Sequence, residues 1–197
     1  WAREMCIETV DKVLKSTGAD KVDLVGHSQG GGPLPRAYIK YYGGDKKVNH
    51  LIGIVPSNKG TSILGMEKFL NEPGTPANTI MSAGARYRNL ESAPQQLQGS
   101  TFLKELNAGG MTTPGVKYTV IATRFDNRVF PWTNALIPEP GAKNIVIQDV
   151  CPLDHSAHTN ITYDPMTYQV VANALEPQRA TPVDAPFDHS FPGDDIQ

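Results

Sequence analysis

The stretch Lys21-Val22-Asp23-Leu24-Val25-Gly26-His27-Ser28-Gln29-Gly30 decides how this chain folds. A short apolar strand, Lys21–Val25, runs into Gly-x-Ser-x-Gly, and helix-forming sequence follows from Gln29 to Tyr42. That order places a serine on a tight strand-to-helix turn with its Oγ projecting above a sheet. Gly26 and Gly30, two before and two after Ser28, leave room for the strained backbone. The helix aims its first amide groups at the serine oxygen, so negative charge developing there is favoured. The pattern suits nucleophilic hydrolysis; the plainer alternative is a pair of ordinary turn glycines.

Outward from this turn, the chain alternates helix and strand. Arg3 to Ser16 carries apolar residues at helical spacing (Met5, Val10, Val13, Leu14), with Gly18 as a stop. In the Gln29–Tyr42 helix, Tyr38, Ile39 and Tyr42 share a face, and Pro33 and Pro35 fall in the first turns. His50 to Val55 is a continuous apolar run, as in a strand covered on both faces of a parallel sheet. Strands follow at Lys117–Ala122 and Asn144–Gln148, and a last helix at Pro165–Leu175. This alternation predicts an α/β fold with a mostly parallel sheet and helices on both faces.

Between them, residues 57–114 mix Gly, Pro, Asn, Ser and Gln with Ile63, Leu64, Met66, Phe69, Leu70, Ile80 and Met81. One helix is expected at Thr101–Asn107, closed by Gly109-Gly110. An insertion of this length with scattered apolar residues fits a functional cover, a lid or acyl-binding cap; the alternative is that these residues pack on the core. We therefore expect a catalytic domain over 1–177 and an extended tail rich in Pro and Asp over 178–197. Four strands are few for such a fold, and nothing N-terminal to the Ser28 strand can pair with its other edge. An open apolar edge is an aggregation hazard, so the expectation is that N-terminal strands, the remainder of the fold, precede Trp1.

The 197 residues carry a net charge of −2, without clusters of Lys and Arg interleaved with aromatics, so nucleic acid is not an expected partner. No apolar run approaches the roughly 20 residues of a transmembrane helix. Cys6 and Cys151 lie too far apart for a metal-ligand pair, and no metal or cofactor is expected. They read either as two buried thiols or as a disulfide of an exported protein, with each other or with cysteines elsewhere.

An activated serine needs a base within hydrogen-bond reach and an acid to orient that base. With a nucleophile on a strand-to-helix elbow, the acid comes next along the chain and the histidine last, both on loops after strands. Asp126 follows the Lys117–Ala122 strand and is the candidate acid. After the Asn144–Gln148 strand, His155 and His158 compete, and spacing alone does not choose between them. The alternative role for whichever is not the base is a loop histidine bonded to Asp154 or Asp149. His27, inside the elbow, points away from Oγ and reads as structural; His50 opens a strand and His189 lies in the tail.

Several runs together resemble the actinobacterial-type triacylglycerol lipase family, lipase class 2, of the α/β-hydrolase superfamily. They are Val22 to Gly31, Pro56-Ser57-Asn58-Lys59-Gly60-Thr61, Gln95-Gln96-Leu97-Gln98-Gly99-Ser100, Thr119 to Asp126, and His158 to Pro165. The likeness extends from about Cys6 to Pro177. It implies an α/β-hydrolase fold, here its C-terminal part, and a secreted serine ester hydrolase acting on lipid esters, with a lipid–water interface as a partner surface. The family's acid stands in a Thr-Arg-Tyr-Asp-like run, matching Asp126. Its histidine stands just ahead of Tyr-Asp-Pro, here Tyr163-Asp164-Pro165, and this match selects His158 over His155.

The resemblance also assigns one oxyanion donor to the amide of Gln29. The His-Gly segment that supplies the other donor in the family has no counterpart in this chain. Gly32-Pro33-Leu34 stands where the family usually carries methionines. The implied reading is a lipase hydrolysing triacylglycerols through an acyl-enzyme. The alternatives are a polyester-degrading esterase or serine acyltransferase on the same machinery, or a non-catalytic hydrolase-like protein.

Overall fold

The structure is a computed structural model that describes residues 2–64, 70, 74–87 and 92–183. Four apolar runs form one parallel sheet in the order β1 (Val22–His27), β2 (Val48–Ile54), β3 (Lys117–Ala122), β4 (Ala142–Val146). Side chains alternate across a strand, so β2, β3 and β4 feed two cores and β1 feeds one. Leu24, Leu51, Tyr118 and Val120 face one, and Ile52, Ile54 and Ile121 face the other. The first core is closed by α1 (Ala2–Thr17) and α2 (Pro33–Tyr41) through Val10, Tyr38 and Ile39. Helices α3 (Pro76–Tyr87), α4 (Ser92–Gln95), α5 (Thr101–Asn107) and α6 (Ile147–Val150) follow along the chain. The last, α7 (Pro165–Leu175), closes the second core through Met166 and Val170. This is the expected α/β layering, with helices on both faces.

Local rules account for the element ends. Gly18 stops α1 with φ 69° and returns its N–H to the Leu14 carbonyl. Asp164 caps α7 by accepting from the amides of Met166 and Thr167, and Pro165 takes the first helical position, where no donor is needed.

Several boundaries differ from the sequence reading. The helix expected from Gln29 begins only at Pro33, after a 3₁₀ turn over Ser28–Gly31, so Pro33 occupies the first helical position. The last strand ends at Val146, not Gln148, because the chain coils into α6 and turns Gln148 inward to bond the loop after β3. An unbroken apolar run such as Ile145-Val146-Ile147 cannot show where extension stops. Val13 and Tyr42 are exposed, and Cys6, Ile7, Val10 and Leu14 form the inner face of α1. Helix α3 was not anticipated, although Thr75-Pro76 is a start signal: Thr75 Oγ1 accepts from the Asn78 amide.

A disulfide between Cys6 and Cys151 is ruled out by this layering. Cys6 packs against the first core and Cys151 lies in the second, on opposite sides of the sheet, and both thiols are free. Burial pushes the Cys6 thiol above its ordinary pKa.

The insertion is tied to the sheet by buried polar bonds. Arg36 on α2 donates to the Met111 carbonyl, Asn58 Oδ1 and Asn107 Oδ1, at 2.9, 3.3 and 2.8 Å. Burial pushes this guanidinium down to about 10, because water no longer solvates its charge. The runs 56–61 and 95–100 lie against each other, with Thr61 and Gln98 exchanging bonds with the 96–98 backbone and the Thr61 carbonyl. Asn134 Nδ2 then bridges the Gly60 carbonyl and Gln98 Oε1. Met66, Phe69 and the tail beyond residue 183 lie outside the described residues.

Candidate active site

Strand β1 delivers Ser28 into a 3₁₀ turn, and Ser28 takes φ 55°, the left-handed region. A non-glycine residue held there costs about 1–3 kcal/mol, which the surrounding packing must over-determine. Gly26 explains how. A Cβ at that position would lie 2.0 Å from the Gly30 carbonyl oxygen, a main-chain atom that cannot swing away. The partner glycine is not the expected one. A Cβ on Gly30 would meet nothing, whereas one on Gly31 would lie 2.1 Å from the Gly26 oxygen and 3.0 Å from the Cα of Gly53 on β2. The elbow is therefore built on Gly26 and Gly31, with Gly30 open.

The other candidates arrive on loops at the same, C-terminal, ends of the strands. After β3, Asp126 is fixed by the amides of Arg128 and Val129, which both donate to Oδ1 at 2.9 and 2.8 Å. After α6, the loop 151–164 brings His158 across the strand ends. His158 Nδ1 lies 3.0 Å from both carboxylate oxygens of Asp126, and Nε2 lies 2.9 Å from Ser28 Oγ. Three side chains 130 and 32 residues apart in sequence thus form one hydrogen-bonded chain. The Asp126 and His158 side chains are only 1% and 7% exposed, so little water competes for these bonds.

His155 is not part of this chain. It is exposed, with its ring 4.8 Å from that of Phe125. The expected bond from His155 to Asp154 or Asp149 is replaced by this ring contact. Asp154 instead accepts from the Ser156 amide, and Asp149 pairs with Arg124. His27 bonds the His158 carbonyl from Nε2 at 2.8 Å. The amide of Gln29 sits in the first turn after Ser28, where a helical turn leaves its N–H groups without internal partners.

Two supporting residues were not singled out in the sequence. Buried Thr123 donates from Oγ1 to the Ser156 carbonyl and accepts from the Phe125 amide and from Gln148 Nε2. Gln148 Oε1 accepts from the Arg124 amide, so one buried pair ties the Asp126 loop to the His158 loop. Thr123 stood inside a quoted motif; Gln148 carried no signal beyond its place after an apolar run.

A parallel sheet with a strained serine at the end of a strand, and an acid and a histidine converging from later loops, defines an α/β hydrolase. The family model for Lipase (class 2) matches residues 5–171, and the chain belongs to that family. Among solved structures it is similar to Aspergillus fumigatus lipase B, with TM-score 0.69 and 22% identity, over 92% of this chain and 42% of that one. It is also similar to the lin2722 gene product of Listeria innocua, with TM-score 0.54 and 16% identity, over 89% of this chain and 65% of that one. A third is MGS-MChE2, an α/β hydrolase from the metagenome of lagoon sediments at Mar Chica, Morocco. It has TM-score 0.50 and 15% identity, over 91% of this chain and 71% of that one. This chain thus spans under half the length of the fungal lipase. The sequence has no significant match among curated proteins.

Proposed function

We propose that the protein is a serine carboxylic ester hydrolase, a lipase that cleaves triacylglycerols and related lipid esters. The observation that carries this reading is the chain Ser28 Oγ–His158 Nε2, His158 Nδ1–Asp126 on a strained elbow. Ser28 Oγ attacks the ester carbonyl while His158 Nε2 takes its proton. Asp126 holds the ring with the proton on Nδ1 and stabilises the imidazolium. The Gln29 amide donates to the oxyanion that forms. His158 then returns the proton to the departing alcohol, leaving an acyl group on Ser28. Water, deprotonated by the same histidine, releases the acid and restores the hydroxyl.

Lipid esters are favoured over short polar ones by the insertion. Leu64 and Ile80 are 87% and 73% exposed, an arrangement suited to a cover that meets a lipid surface. We read residues 57–114 as that cover on a hydrolase domain over 1–177. Among the described residues no helix is long and apolar enough to cross a membrane. The family resemblance favours secretion.

The test is covalent. A fluorophosphonate probe should label the protein at Ser28 and leave Ser28→Ala unlabelled, with thermal melting unchanged because Oγ fills little space. Labelling that survives Ser28→Ala overturns the assignment.

A further inference from the structure

The loop that carries His158 has no strand to hold it. Between α6 and the turn at 160–163 its orientation rests on a few cross-chain bonds. Thr123 Oγ1 holds the Ser156 carbonyl at 2.6 Å, from the end of β3. His27 Nε2 holds the His158 carbonyl itself at 2.8 Å, from the end of β1, 131 residues away. His27 immediately precedes Ser28, so one backbone segment fixes both the serine oxygen and the main chain of the residue that faces it. We infer that His27 is a positioning residue: donating from Nε2, it sets the distance between His158 and Ser28.

The chemistry supports this role over simple filling of space. A carbonyl only accepts, so the bond requires the Nε2–H form of His27. The two rings lie 4.8 Å apart between centroids and tilted by 52°, so they touch without stacking flat. Loss of the donor leaves the His158 carbonyl free to swing, and a displacement of about 1 Å between reacting groups can cost about 10²-fold in rate.

This inference rests on the proposed ester hydrolysis, and two substitutions separate donor from ring. His27→Gln places an amide N–H near the position of Nε2 without the ring; His27→Phe keeps a ring without the donor. Phe should lower kcat by about 10- to 100-fold with KM within about twofold, and Gln should recover most of that loss. The downfield proton resonance of His158 Nδ1–H, which needs no turnover, should be sharp in the wild type and His27→Gln and broadened in His27→Phe. In the unmutated protein, the ¹⁵N shifts of His27 should report a proton on Nε2 near neutral pH. An Nδ1–H tautomer, an unaffected His27→Phe, or a Gln variant as impaired as Phe overturns the inference. A wild type that neither hydrolyses esters nor takes the probe refutes the functional reading instead, and the two resonance measurements still decide the role of His27.

Discussion

The two ends of the parallel sheet differ in what converges on them. At the C-terminal end, loops from β1, β3 and the segment after β4 bring His158 within 3.0 Å of both Ser28 and Asp126. At the N-terminal end there is a cavity of about 550 Å³, lined among others by Asp23, His50, Lys117 and Lys143. That space lies at the end opposite the Ser28–His158–Asp126 chain. Volume alone does not make a site; strand ends that aim an acid, a base and a nucleophile at one point do.

The largest expected effects separate residues within the C-terminal end. His158→Ala should lose roughly 10⁶ in kcat, as the Ser28 variant should, since members of such a unit fail together. His155→Ala removes an exposed ring beside Phe125 and should retain most activity. Rates on a soluble chromogenic ester decide it, and the reverse ranking would transfer the base to His155. Next come the glycines. Gly26→Ala forces a Cβ into a main-chain carbonyl 2.0 Å away. It should destabilise the fold by at least about 1–3 kcal/mol. Gly30→Ala meets open space and should stay within about 0.5 kcal/mol of wild type in urea unfolding. Equal losses at both positions would contradict the elbow geometry.

These contrasts mark what was legible in the sequence. The strand ahead of Gly26, the order of serine, acid and histidine, and the strong apolar runs are local patterns, and they located the sheet and Asp126. His158 was chosen over His155 only through the resemblance at Tyr163-Asp164-Pro165, because both lie on one loop and spacing carries no orientation. Which glycine crowds the elbow was not legible, since it depends on how the turn folds Gly31 back onto the Gly26 carbonyl and, more loosely, onto Gly53 of another strand. The Thr123–Gln148 tie and the His27 bond were equally hidden, being contacts between loops distant in sequence. Helix α3 was overlooked for a different reason: Pro76, Asn78 and Gly84 are residue types that read as loop.

A smaller effect is expected in the insertion. If Ile80 belongs to a cover that opens on lipid, activity on a long-chain ester should rise steeply when substrate passes from monomers to droplets. Ile80→Ser should flatten that rise by about two- to fivefold. It should leave the melting temperature nearly unchanged, because surface substitutions usually stay within about 0.5 kcal/mol. A melting temperature that falls while the rise persists would make Ile80 an ordinary packing residue.

The smallest effect belongs to the other end of the sheet. Asp23, His50 and Lys117 lie side by side in register across β1, β2 and β3. Asp23 favours the charged imidazole and Lys117 opposes it, so burial decides, and it lowers the His50 pKa below its usual 6.5. The unfolded chain therefore binds a proton at a higher pH than the folded one. Stability from neutral His50 is present above about pH 6.5 and is lost as pH falls through the lower folded value. His50→Gln can still bond Thr119 Oγ1, the present partner at 2.9 Å, but cannot titrate. Urea unfolding between about pH 5 and pH 7 should show a shallower acid loss in the variant than in the wild type, with ester hydrolysis at neutral pH unaltered. An identical slope would mean that His50 titrates alike in both states, and a drop in hydrolysis at neutral pH would mean that the two ends of the sheet are coupled.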